Sequence, residues 1–116
     1  MKKLLTMIAV AGLMTGIAHA DELKGDAKAA EAKVAMCVGC HAIPGYRASF
    51  PEIYSVPYLG GQSSNYIYAA LQAYKKGERK HPTMRGIAGS LSDQDMANIA
   101  VYYASQTSQT ATNKLK

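Results

Sequence analysis

The sequence has almost none of two of the large aromatic residues, tryptophan and phenylalanine, that help to build the core of a small domain. It contains no tryptophan and a single phenylalanine in 116 residues. Small domains bury a modest fraction of their surface and often need a covalent staple or a metal. A core made only of these side chains would be thin, so the composition favours a bound cofactor that adds apolar bulk.

Cysteine is also scarce, and the two cysteines lie close together. With only Cys37 and Cys40, a zinc site made of four cysteines is excluded, and a mixed site would have to recruit His41 and His81. A thioredoxin-type pair would need a βαβ pattern around it, and the sequence shows none. A single structural disulfide between the two cysteines stays open.

The two cysteines belong to the pentapeptide that runs from Cys37 to His41. Its pattern, Cys-x-x-Cys-His, is the attachment sequence for a c-type haem. Each thiol can add to one vinyl group of the haem, and the histidine that follows can bind the iron as an axial ligand. The pentapeptide therefore predicts one covalently attached haem c per chain, with Cys37 and Cys40 as attachment points and His41 as an iron ligand.

Long hydrophobic runs are almost absent as well. The one long run, Leu4–Ile17, is shorter than the ~20 residues that a membrane-spanning helix needs. Lys2 and Lys3 precede it, and an A-x-A site that ends at Ala20 follows it, which is the pattern of a secretory signal peptide. We predict that residues 1–20 are a signal peptide cleaved after Ala20, and that the product is a soluble protein of the periplasm.

The rest of the chain predicts helices separated by loops, in one domain over residues 21–106. Apolar residues at helical spacing indicate a first helix from Gly25 into the pentapeptide. A second is predicted from Ser63 or Ser64 to about Lys76, and a third begins at Ser92 with a capping box. Residues 42–62 and 78–91 are predicted as loops, residues 107–116 as a frayed polar tail, and no segment is predicted as a strand.

Methionine is the candidate for a second iron ligand. Met84 lies in the second predicted loop, far enough along the chain from His41 to reach the opposite face of a haem. Met36 adjoins Cys37 on the histidine side, and Met96 fits the apolar stripe of the third helix, where core packing is its expected role. We therefore predict Met84 as the second axial ligand. His81 is a competing candidate, especially if Met84 is lost.

These features together resemble the class I cytochromes c, close to the bacterial cytochrome c4, c5 and c553 types. The resemblance covers essentially the whole chain after the predicted signal peptide. It is carried by the following segments: Gly25-Asp26-Ala27, Cys37 to His41, Val56-Pro57-Tyr58-Leu59-Gly60-Gly61-Gln62, Met84, Leu91 to Asp95, and Ala100 to Gln106.

The resemblance implies a small all-α fold, the class I cytochrome c fold, with three main helices and loops around one haem. It implies that the carbonyl of Pro57 accepts a hydrogen bond from His41 Nδ1, and that Leu59 packs on the haem ring. It also implies a tight turn at Gly61. Three polar residues match positions that often lie near the haem propionates: Gln62, Tyr66 and Arg79.

The predicted function follows from the predicted ligands. If His41 and Met84 both bind the iron, no position is left for a substrate, so we expect a carrier of single electrons and not an enzyme. Two alternatives stay open. The chain could be the haem subunit of a periplasmic oxidoreductase, such as a sulfur-compound dehydrogenase. If Met84 does not bind, it could be a sensor or a peroxidase-like protein.

Positive charge is concentrated between residues 75 and 85. This segment holds five basic residues and one acidic residue, Glu78; the basic ones are Lys75, Lys76, Arg79, Lys80 and Arg85. Such a surface could steer acidic, periplasmic or membrane-bound redox partners. Alternatively, it could be a solvated helix end, where lysine is favourable in any case. The formal net charge of +5 becomes +3 when Lys2 and Lys3 leave with the signal peptide. Nucleic-acid binding is not expected for an exported domain of such modest charge.

Overall fold

The computed structural model describes residues 24–49 and 53–106; the predicted signal peptide and the polar tail lie outside them. Within these ranges the chain forms a 3-10 turn, four helices and a two-stranded sheet. The 3-10 turn is Ala29–Ala32, and the other elements are α1 (Ala35–His41), β1 (Arg47–Ala48), β2 (Tyr54–Ser55), α2 (Ser64–Lys76), α3 (Pro82–Gly89) and α4 (Asp93–Ala104).

The N-terminal helix differs from its prediction because it is broken into two pieces. The carboxylate of Asp26 accepts hydrogen bonds from the backbone N–H groups of Lys28 and Ala29, at 2.8 and 3.4 Å. This starts the 3-10 turn, and α1 begins only at Ala35. α1 then continues without a break through Gly39 to His41.

Helices α2 and α4 confirm their predictions, including their ends. Ser63 caps α2, and Gly77 ends it in the left-handed conformation, with φ of 81°. Ser92 and Asp95 form the predicted capping box at the start of α4. Both termini are thus set by local side-chain and backbone chemistry that can be read from the sequence.

The prediction of a loop over residues 78–91 is wrong in its second half, where the structure has α3. Proline suits the first position of a helix because its missing N–H would have no intrahelical partner there. Pro82 takes that position, and the side chain of His81 caps the helix. Met84 is therefore carried by a helix and not by a loop.

The prediction of no strand is also wrong, although the sheet is very small. β1 pairs with β2 in antiparallel register, Arg47 opposite Ser55 and Ala48 opposite Tyr54. Each strand has two residues, too few for the alternating pattern by which a strand is predicted from sequence. Both strands lie inside the first predicted loop, residues 42–62, and pair two positions within it.

The core lies around α4, which packs against α2 and against the 3-10 turn. The buried residues of α4 include four that recur at helical spacing: Met96, Ile99, Ala100 and Tyr103. α3 packs against the other side of α2. Among the described residues, no helix combines the length and apolar character that crossing a bilayer would require.

Candidate haem site

A cavity of about 360 Å³ opens between α2, α3, the end of α1 and the segment that leads from β2 to α2. Most of its wall is apolar. Its lining includes eight of the ten residues predicted for the site: Cys40, His41, Pro57, Leu59, Gln62, Tyr66, Arg79 and Met84.

His41 is buried at the end of α1, with 9% of its surface exposed. Its Nδ1 lies 2.6 Å from the carbonyl oxygen of Pro57. A carbonyl can only accept, so Nδ1 carries the proton and donates it, and Nε2 is left with a free lone pair. Such a bond fixes the orientation of the ring and makes the other nitrogen a better ligand.

The two cysteines are both free thiols, and they differ in exposure. Cys40 is exposed and lines the cavity, whereas Cys37 is half-buried and packs against the core. Burial, with a smaller contribution from Cys40, raises the pKa of the Cys37 thiol to about 11. Neither sulfur is engaged in a disulfide, so the disulfide alternative finds no support. Within the described ranges, no three His, Cys, Asp or Glu side chains are placed to hold a metal ion such as zinc.

Met84 reaches the same cavity from α3, where its side chain is half-buried. Met36 also lines the cavity, but it is 45% exposed. Met96 lies in the core with no exposed surface, as predicted. The structure therefore brings the Met84 side chain and His41, which come from different helices, to one cavity.

One face of α2 forms much of the apolar wall. Four residues at helical spacing on this face line the cavity: Ile67, Ala70, Leu71 and Tyr74. Leu59 packs against the core beside them. Gly61 is not part of the lining. Its φ is 81°, and its N–H donates to the carbonyl of Tyr103 at 2.9 Å, so it makes the turn before α2.

The polar residues lie together at one edge of the cavity. Arg79 Nη1 donates to the hydroxyl of Tyr66 at 3.2 Å, and its guanidinium lies 4.9 Å from the centre of the Tyr74 ring. The Gln62 side-chain oxygen accepts from the N–H of Ser63 at 2.8 Å. This edge therefore offers a cation and hydrogen-bonding groups, which suits a carboxylate.

Sequence analysis did not identify several aromatic residues of the lining. Tyr54 and Tyr58 both border the cavity, and both belong to a segment predicted as loop. Nothing in the spacing of a loop indicates which of its side chains point inward. His81 was considered only as an iron ligand, but in the structure it contacts Tyr54, edge to face, with ring centres 4.7 Å apart.

The hydroxyl of Tyr103 is buried and has no hydrogen-bond partner among the described residues. Its pKa is raised by burial, with added contributions from Cys37, Tyr102 and Tyr58. A buried hydroxyl without a partner is costly unless a further group satisfies it, and a group attached beside Cys37 could do so. With two free thiols, an imidazole with an open Nε2, a thioether and an apolar wall, the residues fit a covalent haem.

Replacing Tyr103 with phenylalanine should change how stability depends on pH above about pH 10. The folded state holds the Tyr103 pKa above its ordinary value of 10.0, so only the unfolded state loses this proton as the pH rises. The free energy of unfolding should therefore fall by roughly 1 kcal/mol per pH unit from this group. Denaturant unfolding between pH 8 and 11 measures it. Tyr103→Phe should lose this part of the fall in the free energy of unfolding, and Tyr46→Phe should retain it. If the free energy of unfolding depends equally on pH in the unaltered protein and in both variants, the prediction is wrong.

Comparison with known proteins agrees with the site and the fold. The family model described as Cytochrome c matches residues 26–107. The chain belongs to the cytochrome c family. Members of this family carry covalently bound haem c, and haem c is accordingly the cofactor of this chain.

The relatives are mainly cytochromes c4. The chain is 41% identical to cytochrome c4 of Pseudomonas aeruginosa over 91% of its own length and 49% of that protein. It is 44% identical to cytochrome c-554(548) of Halomonas halodenitrificans over 71% of its own length and 98% of that protein. The chain thus spans about half the length of the cytochromes c4 that it matches.

A solved structure confirms the class I cytochrome c fold. The reduced recombinant cytochrome c4 from Pseudomonas stutzeri superposes with a TM-score of 0.57 and 38% sequence identity. The match covers 72% of this chain and 46% of that one.

Proposed function

We propose that this protein is a carrier of single electrons whose iron is held by His41 and Met84. The observation that carries the proposal is that these two side chains, from α1 and α3, line one cavity beside the attachment cysteine Cys40. The family supports it, because haem c is its cofactor. The haem supplies one-electron chemistry when bound, and the protein is not an enzyme.

The residues of the chain have distinct tasks in this proposal. Cys37 and Cys40 attach the haem, and the Pro57 carbonyl holds the ring of His41 through the 2.6 Å hydrogen bond to Nδ1. Met84 would hold the iron together with His41, which would leave no position for another ligand. A thioether is a soft ligand that favours ferrous iron, so the reduction potential should be fairly high.

Electron exchange requires that one edge of the haem be near solvent. Cys40 is exposed, and so is Met36 on the preceding turn of α1. Both line the cavity, so its cysteine side faces the surface. We place the route for electrons at this edge, and the propionates at the polar edge beside Gln62, Tyr66 and Arg79.

Spectroelectrochemical titration of the purified holoprotein tests the proposal. We expect one haem per chain, a single one-electron transition and a low-spin ferric form with the weak near-infrared band of a sulfur–iron bond. A high-spin ferric spectrum would refute the ligand assignment.

We also propose that the protein is located in the periplasm, because residues 1–20 have the pattern of a signal peptide. Sequencing the N-terminus of the exported protein should give Asp21 as its first residue.

Acidic redox partners are proposed to dock beside the basic segment, but fewer of its charges are free than the sequence indicated. Lys75 Nζ donates to the carbonyl of Leu91 at 2.6 Å, and Arg79 is engaged with Tyr66 and Tyr74. The other three cations are exposed: Lys76 is the last residue of α2, Lys80 lies between α2 and α3, and Arg85 lies within α3.

Removing one of these charges should slow electron transfer to an anion more than removing a charge elsewhere does. We expect Lys80→Gln to lower the rate with hexacyanoferrate(III) roughly two- to threefold at low salt, and to weaken its dependence on ionic strength. Lys28→Gln makes the same change in net charge at an exposed residue before the 3-10 turn. Equal effects of the two variants in stopped-flow kinetics would show that net charge, and not this surface, sets the rate.

One relative bears on the alternative of an oxidoreductase subunit. The chain is 38% identical over 79 residues to the thiosulfate dehydrogenase electron acceptor of Stutzerimonas stutzeri, a match that covers 34% of that protein. An electron acceptor of a dehydrogenase is itself a carrier, so this match is compatible with a free shuttle. Co-purification of a dehydrogenase with the native protein would favour permanent docking.

A further inference from the structure

His81 stands immediately before the helix that carries Met84, and it contacts three different elements of the structure. It is the N-cap of α3, with extended φ and ψ of −161° and 110°. Its ring lies half-buried in the wall of the cavity. These positions place it beside Met84 in the cavity wall.

The cap is made directly to Met84. His81 Nδ1 accepts the backbone N–H of Met84 at 3.3 Å, so the proton of the neutral ring is on Nε2. α3 has only eight residues, of which two are glycine, and glycine disfavours a helix. A short helix of this composition depends on its cap more than a long one does.

The ring of His81 also joins α3 to the two elements that face it across the cavity. It meets Tyr54 of β2 with ring centres 4.7 Å apart and Tyr74 of α2 with centres 6.4 Å apart, both edge to face. Pairs of this geometry prefer a fixed mutual orientation. His81 is therefore held from two sides while its nitrogen holds the backbone of Met84.

We propose that His81 is a positioning residue for Met84: its cap and its packing between Tyr54 and Tyr74 fix the first turn of α3, and with it the thioether at the iron. The proposal rests on the proposed function, since it requires that Met84 be the ligand. Loss of the cap should let the first turn of α3 open more often, so that the Met84–iron bond breaks more often.

Two variants of His81 distinguish the effect of the N-cap hydrogen bond from the effect of the aromatic ring. His81→Phe keeps an aromatic ring and removes the acceptor, whereas His81→Asn keeps a good N-cap and removes the ring. The measurement is the rate at which imidazole displaces Met84 in the ferric holoprotein, followed by loss of the near-infrared band. We expect His81→Phe to speed displacement roughly five- to tenfold, the change that loss of a cap gives. His81→Asn should stay within about threefold of the unaltered protein.

A matched control tests whether faster displacement of Met84 by imidazole results merely from lower stability of the whole protein. Ser92→Ala removes the N-cap of α4, whose first turn lies outside the cavity lining. It should lower the midpoint of thermal unfolding and leave the displacement rate unchanged. If His81→Phe leaves the rate unchanged, or Ser92→Ala raises it equally, the positioning role is wrong. If the unaltered ferric protein lacks the band, the assignment of Met84 fails first, and the positioning role fails with it.

Discussion

Replacing Met84 with leucine is expected to abolish the near-infrared sulfur–iron band and to lower the reduction potential by roughly 100 mV or more, within the ~0.8 V range that axial ligands cover. The change keeps an apolar side chain of similar volume, so α3 should fold as before. What is lost is the soft sulfur ligand that favours ferrous iron. The reduced variant should also bind carbon monoxide, whereas failure to bind it would indicate that His81 has taken the place of Met84 at the iron.

Two other methionines provide controls of the same chemical change. Met96→Leu alters a core residue with no exposed surface, and Met36→Leu alters an exposed residue that lines the cavity. Both should keep the band and the potential of the unaltered protein. Survival of the band in Met84→Leu, or its loss in Met36→Leu, would show that the ligand has been assigned wrongly.

Replacing Gly25 with alanine is expected to destabilise the protein by about 1–3 kcal/mol, the usual cost of overpacking. A Cβ atom at this position would lie 2.3 Å from the carbonyl oxygen of Ala97 and 2.6 Å from Cγ2 of Val101. The φ of Gly25 is not positive, so the glycine is required by space and not by backbone conformation.

The chain around Gly25 has little freedom to move away from α4. The carbonyl of Lys24 accepts from Gln94 Nε2 at 2.9 Å, and the N–H of Asp26 donates to Asn98 Oδ1 at 2.8 Å. The residues on both sides are thus bonded to α4, and relief of the clash would break these bonds.

Thermal unfolding of the holoprotein measures the effect of Gly25→Ala. A loss of this size should lower Tm by roughly 5–20 °C for a domain of this length. Gly89→Ala is the control: it lies in α3, and a Cβ there meets nothing within 4 Å. It should be neutral or slightly stabilising. Equal Tm values for the two variants would mean that the segment before the 3-10 turn does not pack as tightly as described.

The parts of the fold that the sequence predicted are those with strong local signals. α2 and α4 have capping residues and apolar residues at helical spacing, and both helices were predicted with their starts correct to within a residue. α3 was missed because its two glycines and His81-Pro82 look like a loop, and its cap is a histidine, which is outside the usual set of capping residues.

Only some features of the candidate site could be predicted from the sequence. The haem attachment pattern needs only adjacent residues, so it could be predicted from five positions. Three features depend on residues far apart in the chain: the placement of Met84 and His41 around one cavity, the contact of His81 with Tyr54, and the tight packing of Gly25 against α4. Spacing along the sequence carries no information on such contacts.

The central claim is that His41 and Met84 both bind the iron, which leaves no position for another ligand, so that the haem only gains and loses electrons. Mixing the reduced holoprotein with carbon monoxide at neutral pH tests this claim most directly, because carbon monoxide binds only where an axial position is free. The account predicts no change in the optical spectrum of the reduced haem over minutes. Rapid formation of the carbon monoxide complex would contradict it, and would indicate an open, ligand-binding haem instead.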